Sequence, residues 1–256
     1  MAGSDFDNSF VKPATATDFT MPRHKAASLL VSASYRMKPG LVRIVGARRA
    51  MRACLNVAWL FKRFAFELAG EVYGPSFHNA ALALSSDVLQ RWIPKQGSVI
   101  DIGCGTGRWC RESAKYAKAV TGIDFSEISI ATARARGPDN IEYIVGDVER
   151  QLGGRRFDVA LMVHLLEHID DPESLLRSVR GISGRLIIEV PDFESDVLNL
   201  VRHANGTRFD SDADHVREYT LDVLCQQLSR SGWQIVHSEQ RGGSILAIAA
   251  LSSAAE

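Results

Sequence analysis

Short apolar runs that alternate with helix-length stretches over residues 98–190 constrain the fold more than any other feature of the chain. The runs are rich in valine and isoleucine, and they are Ser98–Ile102, Ala119–Ile123, Ile141–Val145, Val159–Val163 and Arg185–Val190. Such alternation predicts a parallel sheet with helices on both faces. Further along, the pattern predicts a helix over Thr220–Ser231 and two more strands, Trp233–Ser238 and Ser244–Ala250.

The composition of the 256-residue chain is typical of a globular protein. It is 46% hydrophobic and 23% charged, which excludes a wholly disordered or fibrous chain. The four cysteines show no CxxC pairing, so we expect reduced, mostly buried thiols and no zinc knuckle or disulfide framework. The start, MAGSDFDNSF, does not resemble a secretory signal, and no stretch approaches the ~20 apolar residues of a membrane span. We expect a cytoplasmic location, with peripheral attachment at the membrane surface left open.

Charge is unevenly distributed, although the net charge is zero. Residues 20–66 contain ten lysines and arginines and no acid. Apolar residues recur at steps of three and four over Arg43–Leu68, which predicts an amphipathic helix broken near Gly46. Another helix is predicted over Asn79–Trp92. We therefore divide the chain into a disordered tail (1–22), a basic helical extension with a lid (23–95) and a cofactor-binding domain (96–256).

The segment Val99–Gly107, with the sequence VIDIGCGTG, is an apolar strand that ends in three alternate glycines: Gly103, Gly105 and Gly107. The helical pattern Arg108–Tyr116 follows immediately. Glycines allow the backbone to pass close to a ligand, and the start of a helix presents N–H groups with partial positive charge. The segment therefore predicts a site for a nucleotide-type ligand, although a plain strand–turn–helix is the alternative.

Two features of this segment favour an adenosyl amino acid over a dinucleotide. The glycines follow a G-x-G-x-G spacing, and Arg108 occupies the place where the dinucleotide fingerprint has its third glycine. Asp101 precedes the first glycine by two residues. A carboxylate there is unfavourable beside a pyrophosphate but favourable beside the ammonium group of a methionine moiety.

Acidic residues also follow the next two strands. Asp124, in GIDFS, is placed to accept hydrogen bonds from ribose hydroxyls, and Phe125 can lie against an adenine ring. Asp147, in GDVE, can accept a bond from the adenine amino group, with Val148 as an apolar wall. Each aspartate could instead cap a helix, but three acids at successive strand ends favour S-adenosyl-L-methionine as the ligand.

These motifs resemble those of the class I S-adenosylmethionine-dependent methyltransferases. VIDIGCGTG, GIDFS and GDVE are similar to the glycine motif, the acidic ribose loop and the adenine loop of that family, and the resemblance covers roughly residues 97–250. It is closest to the small-molecule and glycan group that includes ubiquinone-biosynthesis O-methyltransferases. The resemblance implies a Rossmann-like seven-stranded, mostly parallel sheet, with Cys104 and His164 added to the cofactor site. The region before Glu67 lies outside it.

Two histidine-containing segments are candidates for the acceptor side. The fourth strand ends in HLLEH, which includes His164, Glu167 and His168, and the stretch DADHVREYT contains His215. Methyl transfer needs an aligned acceptor and, where its proton is tightly held, a base. We predict His215 and His168 as catalytic residues. The alternatives are a solvated residue at a helix start for His215 and a loop-shaping, helix-capping role for Glu167 and His168.

A metal ion is a less favoured possibility. On a helix, His164 and His168 would share a face and chelate a divalent cation with Glu167. The resemblance implies a metal in some relatives, but those carry an acid where this chain has His164. We therefore predict no metal. Tyr73 and His78 are candidates for a lid over the cofactor, with simple packing as the alternative for Tyr73.

The predicted acceptor is an oxygen of a small molecule or glycan. The basic segment 23–63 permits a helix packed on the domain, contact with a membrane surface, or capture of an anionic or lipid-linked acceptor. A nucleic-acid methyltransferase is an alternative, but an Asn/Asp-Pro-Pro-Tyr type motif is missing after the fourth strand, and we expect no nucleic acid partner. A non-catalytic S-adenosylmethionine-binding module is a further alternative. The sequence does not indicate an oligomeric state.

Overall fold

The structure is a computed structural model that describes residues 25–74, 82–138, 140–207 and 214–252. Contacts divide the chain into two compact units. The first comprises residues 1–80 and 196–211, and the second comprises residues 81–195 and 212–256. The segment boundaries predicted at residues 22 and 95 stay predictions, and the proposed tail and His78 lie outside the described residues.

A seven-stranded sheet forms the centre of the second unit. Its strands, in chain order β1 to β7, are Ser98–Ile102, Ala119–Asp124, Ile141–Val145, Val159–Val163, Arg185–Pro191, Trp233–Arg241 and Ser244–Leu251. They are arranged in the order β3-β2-β1-β4-β5-β7-β6, and β7 is antiparallel to both of its neighbours. The predicted fold class is therefore confirmed, including the two C-terminal strands.

Nine α-helices lie within the described residues. In chain order α1 to α9 they are Lys25–Val45, Ala47–Tyr73, Ser86–Trp92, Arg108–Ser113, Glu127–Arg136, Val148–Gln151, Pro172–Val179, Val197–Ala204 and Leu221–Arg230. The helices α1, α2 and α8 belong to the first unit, and the others to the second. The predicted break near Gly46 is confirmed, because this residue separates α1 from α2 with a φ of 84°.

Alternate residues of the central strands pack into two separate cores. Ile100 packs on one side of the sheet in a cluster that includes Leu176 from α7 and Leu228 from α9. Its neighbour Val99 belongs to a cluster on the other side, with Leu89 from α3 and others from α4 and α5. Burial on both faces is what near-continuous apolar strands require in a parallel sheet.

Two local predictions were wrong. The helix predicted over Asn79–Trp92 begins only at Ser86 in the described chain. The reason is that the backbone N–H groups of Ala83 and Leu84 both donate to the side chain of Glu189, at 2.9 Å each, and so do not join a helix.

The other wrong prediction concerns the thiols. Cys104 and Cys110 are buried, but Cys54 and Cys225 are exposed. Both exposed thiols are on amphipathic helices: Cys54 is on α2, three residues before the exposed Val57, and Cys225 is on α9, next to the buried Leu224.

Candidate functional site

The glycine loop after β1 is fixed against the end of β2. The backbone N–H groups of Gly103 and Cys104 donate to the carbonyl of Ile123, at 2.8 and 3.1 Å. The order of the sheet reverses at β1, which has β2 on one side and β4 on the other. Ligands of open α/β sheets bind at such a reversal, beyond the carboxyl ends of the strands.

The three glycines of the loop have different neighbours. A Cβ atom at Gly103 would lie 2.8 Å from Leu165 Cδ1, and one at Gly107 would lie 2.5 Å from the hydroxyl of Tyr143. At Gly105, whose φ is 51°, no atom lies within 4 Å of that position. The outer glycines therefore allow close packing, while the central glycine leaves open space above the loop.

Asp124, at the end of β2, is held by backbone donors. Its Oδ2 accepts a hydrogen bond from the N–H of Gly105, and its Oδ1 accepts one from the N–H of Ser126, both at 2.8 Å. Ser126, and not Asp124, caps the following helix α5. Each carboxylate oxygen has a second lone pair, so Asp124 is pre-oriented to accept bonds from two vicinal hydroxyls.

The residues predicted to contact adenine lie at neighbouring strand ends. Asp124 pairs with Val145 in the register of β2 and β3, and the segment after β3 contains Asp147. Phe125 is exposed, whereas Val148 is buried in the core at the start of α6. Asp147 also accepts a bond from the N–H of Arg150 at 3.4 Å, so the helix-start role weighed for it from the sequence is partly realised.

Asp101 is a buried acid without a cationic partner among its identified interactions. It is 2% exposed, and the thiol of Cys110 donates to its Oδ2 at 3.2 Å. Burial raises the pKa of Asp101 to about 7, and repulsion from Asp124 adds to the effect. A cation placed nearby would favour the ionised form. This is the electrostatic environment that an ammonium group would complete.

His164, just after β4, is fixed between two buried acids. Its Nδ1 lies 3.1 Å from Glu167 Oε1, and its Nε2 lies 3.6 Å from Glu189 Oε1. Burial opposes protonation, but the hydrogen bonds and the charges of the two carboxylates outweigh it and raise the pKa of His164 to about 9. The imidazole is therefore a cation at neutral pH, and Glu189 has a pKa below its usual value despite its burial.

The backbone at His164 excludes the metal site considered from the sequence. Its φ is 51°, a left-handed conformation, and the helical turn that follows is a 3-10 turn over Leu166–His168. His164 and His168 are thus not neighbours on one helical face. The helix-capping role is also wrong, because Asp171 caps α7 through its bond to the N–H of Ser174.

The two histidines predicted to be catalytic lie together. The rings of His168 and His215 meet edge to face, with centroids 4.7 Å apart. Asp214 Oδ2 lies 3.5 Å from His168 Nδ1, and Glu218 Oε1 lies 3.3 Å from His215 Nδ1. The side chain of His168 is 29% exposed and that of His215 only 6%. His168 is therefore the more accessible of the two.

Hydrogen bonds explain why His168 and His215, which are distant in sequence, meet here. The N–H of Val216 donates to the carbonyl of Glu167 at 2.9 Å, and Arg217 donates to the carbonyl of Asp170 at 2.6 Å. The hydroxyl of Tyr219, which is buried, donates to Gln227 at 2.8 Å. These contacts hold the loop before α9 along the 3-10 turn after β4.

One group of residues in the described chain could hold a metal ion. One ligand atom each from Glu167, His168 and His215 lie within 4.8 Å of one another. Glu167 Oε2 is buried without a hydrogen bond. This group differs from the one considered from the sequence, since His215 takes the place of His164. The prediction that no metal is used stays a prediction.

Sequence reasoning missed two residues of this site. Glu189 lies inside the apolar run RLIIEVP of β5, and an acid in a strand buried on both faces is a signal that could have identified it. Asp214 gave no comparable signal, because its contact with His168 depends on the path of a loop. Tyr73 ends α2 in the first unit, and its predicted lid role stays a prediction.

The match to known families agrees with this geometry. A family model described as a methyltransferase domain matches residues 77–238, more than half of the chain. The chain belongs to this methyltransferase family. The match confirms the class predicted from VIDIGCGTG, the class I S-adenosylmethionine-dependent methyltransferases, and with it the cofactor of that class.

Similar proteins of this family have several acceptors. A ubiquinone biosynthesis O-methyltransferase of Coxiella burnetii is 31% identical over 125 residues, which cover 45% of this chain and 53% of the relative. A dTDP-3-amino-3,6-dideoxy-alpha-D-glucopyranose N,N-dimethyltransferase of Streptomyces fradiae is 32% identical over 105 residues, covering 41% and 40%. The chain thus spans about half the length, or less, of the curated relatives that it matches.

Among solved structures, DhpI in complex with SAH has a similar fold. The likeness has a TM-score of 0.54 at 22% identity and covers 75% of this chain and 94% of DhpI. Three observations already described show that the residues of this chain fit S-adenosylmethionine. There is open space above Gly105, two oriented acceptor oxygens on Asp124, and a buried, unneutralised carboxyl at Asp101.

Proposed function

We propose that the chain transfers the methyl group of S-adenosyl-L-methionine to an oxygen of a small molecule or glycan, with His168 as the general base. The observation that carries this proposal is the contact between the rings of His168 and His215. His168 follows β4, and β4 is the neighbour of β1, which ends in the glycine loop. The relatives that are ubiquinone biosynthesis O-methyltransferases support oxygen as the accepting atom. An anionic or lipid-linked acceptor is compatible with this chemistry.

The cofactor residues hold and orient the donor. When bound, S-adenosylmethionine supplies a methyl group on a positively charged sulfur. Asp124 would accept hydrogen bonds from the ribose hydroxyls, Asp101 would face the ammonium group, and Gly105 would let the backbone approach. Phe125 and Val148 would border the adenine, and Asp147 would accept a hydrogen bond from its amino group. Because the displacement is in line, holding the methyl donor and the acceptor in alignment supplies much of the rate enhancement.

His168 removes the proton of the acceptor hydroxyl. A neutral hydroxyl is a weak nucleophile, and a positioned base typically contributes 10²–10⁴-fold to the rate. Asp214 Oδ2 lies 3.5 Å from Nδ1, which favours the tautomer with its proton on Nδ1 and leaves Nε2 to accept the proton of the hydroxyl. His215 restricts the orientation of the ring through the edge-to-face contact.

The experiment is turnover of S-adenosylmethionine with a panel of phenols, catechols and sugars, measured as S-adenosylhomocysteine formed. We expect His168→Gln to lower kcat by 10²–10⁴-fold with the affinity for S-adenosylmethionine changed less than twofold. His237→Gln is the matched control, because His237 lies on β6 with its ring against Trp92. A nitro-substituted phenol, which is more acidic, should recover part of the rate in His168→Gln.

Other outcomes would replace the proposal. An equal loss of rate for acidic and ordinary phenols would show that His168 is not the base. Methylation of amino sugars alone would make nitrogen the accepting atom. Tight binding of S-adenosylmethionine without turnover on any acceptor would indicate a non-catalytic binding module. If a chelator abolished turnover and Zn²⁺ or Mg²⁺ restored it, the metal group Glu167, His168 and His215 would replace the metal-free mechanism.

A further inference from the structure

Helix α2 carries an exposed apolar stripe that the fold of the first unit does not use. Val57, Phe61, Phe64 and Leu68 follow one another at steps of four, three and four, so they share one face of the helix. Each is between 54% and 66% exposed. The buried Leu55 lies on a different side, about 150° around the helix from the centre of the stripe.

Helix α1 has a comparable exposed face. Met37, Leu41 and Ile44 follow at steps of four and three, and all three are exposed. Arg36 and Arg43 lie on an adjoining face, about 110° away. The two helices contact each other and are separated only by Gly46. Together they present large hydrophobic side chains from two consecutive amphipathic helices, which we call the basic helix pair (25–73).

The charge of the basic helix pair is almost of one sign. Residues 25–66 contain nine lysines and arginines and no acid, and the first acids are Glu67 and Glu71. Lys62 lies 3.6 Å from Asp196, but Arg48, Arg49 and Arg52 have no ion pair among the described residues. An amphipathic helix that combines an apolar face with arginines and lysines is typical of a segment that lies in the plane of an anionic membrane surface.

We propose that the basic helix pair docks on an anionic phospholipid surface. The phenylalanines of the α2 stripe enter the boundary between headgroups and acyl chains, while the arginines extend towards the lipid phosphates. No helix of the described residues is both long and apolar enough to cross a membrane.

Two other occupants fit the observations less well. A nucleic acid would be attracted by the charge but would leave the stripe of Phe61 and Phe64 without an apolar partner. A second copy of the chain would cover the stripe, but it would bring together two segments that each carry nine positive charges in residues 25–66. Of these three occupants, an anionic lipid surface is the one that matches both the apolar stripe and the charge.

The test is sedimentation of the full chain with vesicles of phosphatidylcholine and phosphatidylglycerol (3:1) and with vesicles of phosphatidylcholine alone. We expect binding to the anionic vesicles only, weakened at least tenfold by F61D/F64D. The triple change R48Q/R49Q/R52Q should weaken it about 100-fold, at roughly fivefold per charge. Val236→Asp, at an exposed position on β6, is the control and should bind like the unchanged chain.

Binding is independent of methyl transfer, so failure of one proposal does not decide the other. Equal sedimentation with neutral vesicles, or unchanged sedimentation of F61D/F64D, would overturn the docking proposal. Light scattering without lipid provides a second readout. If the chain is a dimer that F61D/F64D separates, and neither form binds vesicles, the stripe is an interface between copies.

Discussion

Asp101 and His164 lie at the ends of neighbouring strands, the first buried and the second about one third exposed, and the fold compensates their charges differently. The carboxyl of Asp101 has a thiol and a second acid nearby, and its pKa is raised to about 7. The imidazole of His164 lies between two carboxylates, and its pKa is raised to about 9. The first site is incomplete until a cation arrives, whereas the second is neutralised within the fold. A perturbed pKa thus indicates ligand binding only when the perturbed group lacks a partner of opposite charge.

The largest effect on stability is expected from removing one of the two acids that neutralise His164. Replacing Glu189 by alanine leaves the His164 cation with one carboxylate and leaves the N–H groups of Ala83 and Leu84 without their acceptor. We expect the free energy of unfolding to fall by about 3–5 kcal/mol, measured in urea. Glu239→Ala, which removes an exposed pair with Arg241, should change it by less than about 1 kcal/mol. Equal effects of the two changes would contradict the comparison.

Asp101→Asn should weaken cofactor binding and stabilise the ligand-free protein. We expect the affinity for S-adenosylmethionine to fall about 10–100-fold by calorimetry, because the ammonium group loses its counter-charge. The pKa of Asp101 is raised in the fold, so ionising it above pH 7 costs stability. Its removal should therefore raise the free energy of unfolding by about 2–4 kcal/mol at pH 8.5.

Two comparisons test whether the combination of weaker cofactor binding and greater stability is specific to Asp101. Asp222→Asn, on the exposed first turn of α9, should change neither quantity. Asp124→Ala should lower the affinity without the gain in stability, since Asp124 is held by the N–H groups of Gly105 and Ser126. If Asp101→Asn and Asp124→Ala both bind S-adenosylmethionine as the unchanged chain does, the assignment of the cofactor edge is wrong.

Cofactor affinity should also depend on pH. Between pH 5.5 and 7 the ammonium group of the ligand stays charged, while Asp101 changes from protonated to ionised around pH 7. Only the ionised form attracts the ammonium group, so affinity should rise about tenfold over this range. In Asp101→Asn the dependence should disappear. A flat profile in the unchanged chain would show that Asp101 does not face the cation.

The smallest effect is expected at His164. Its pKa is higher in the folded chain, about 9, than the usual 6.5, so its stabilising contribution is complete below pH 6.5 and is lost as pH rises through 9. Because the side chain is about one third exposed, we expect a contribution of about 1 kcal/mol. The stability difference between the unchanged chain and His164→Gln should shrink by this amount from pH 6 to 9.5. A constant difference would show that His164 acts only through its shape.

The sequence predicts the cofactor half of the site better than the acceptor half. The strand β1, the glycines and Asp124 belong to short stretches whose periodicity and spacing are local. The predicted strand is confirmed, and the cofactor contacts of these residues stay predictions. The conformation of His164 depends instead on Glu189, 25 residues away, and the position of His215 depends on bonds between its loop and the 3-10 turn. Contacts between distant segments leave no periodic signal.

The hydrogen bonds of Glu189 have a consequence for protein engineering. One side chain of β5 fixes both the backbone that precedes α3 and the histidine that follows β4. A graft that exchanges the turn after β4 to change acceptor preference would therefore replace the residue beside Glu189 while Glu189 itself stays unchanged. Such chimeras should fold when position 189 and the segment 82–85 are transplanted with the turn, and fail when the turn is moved alone.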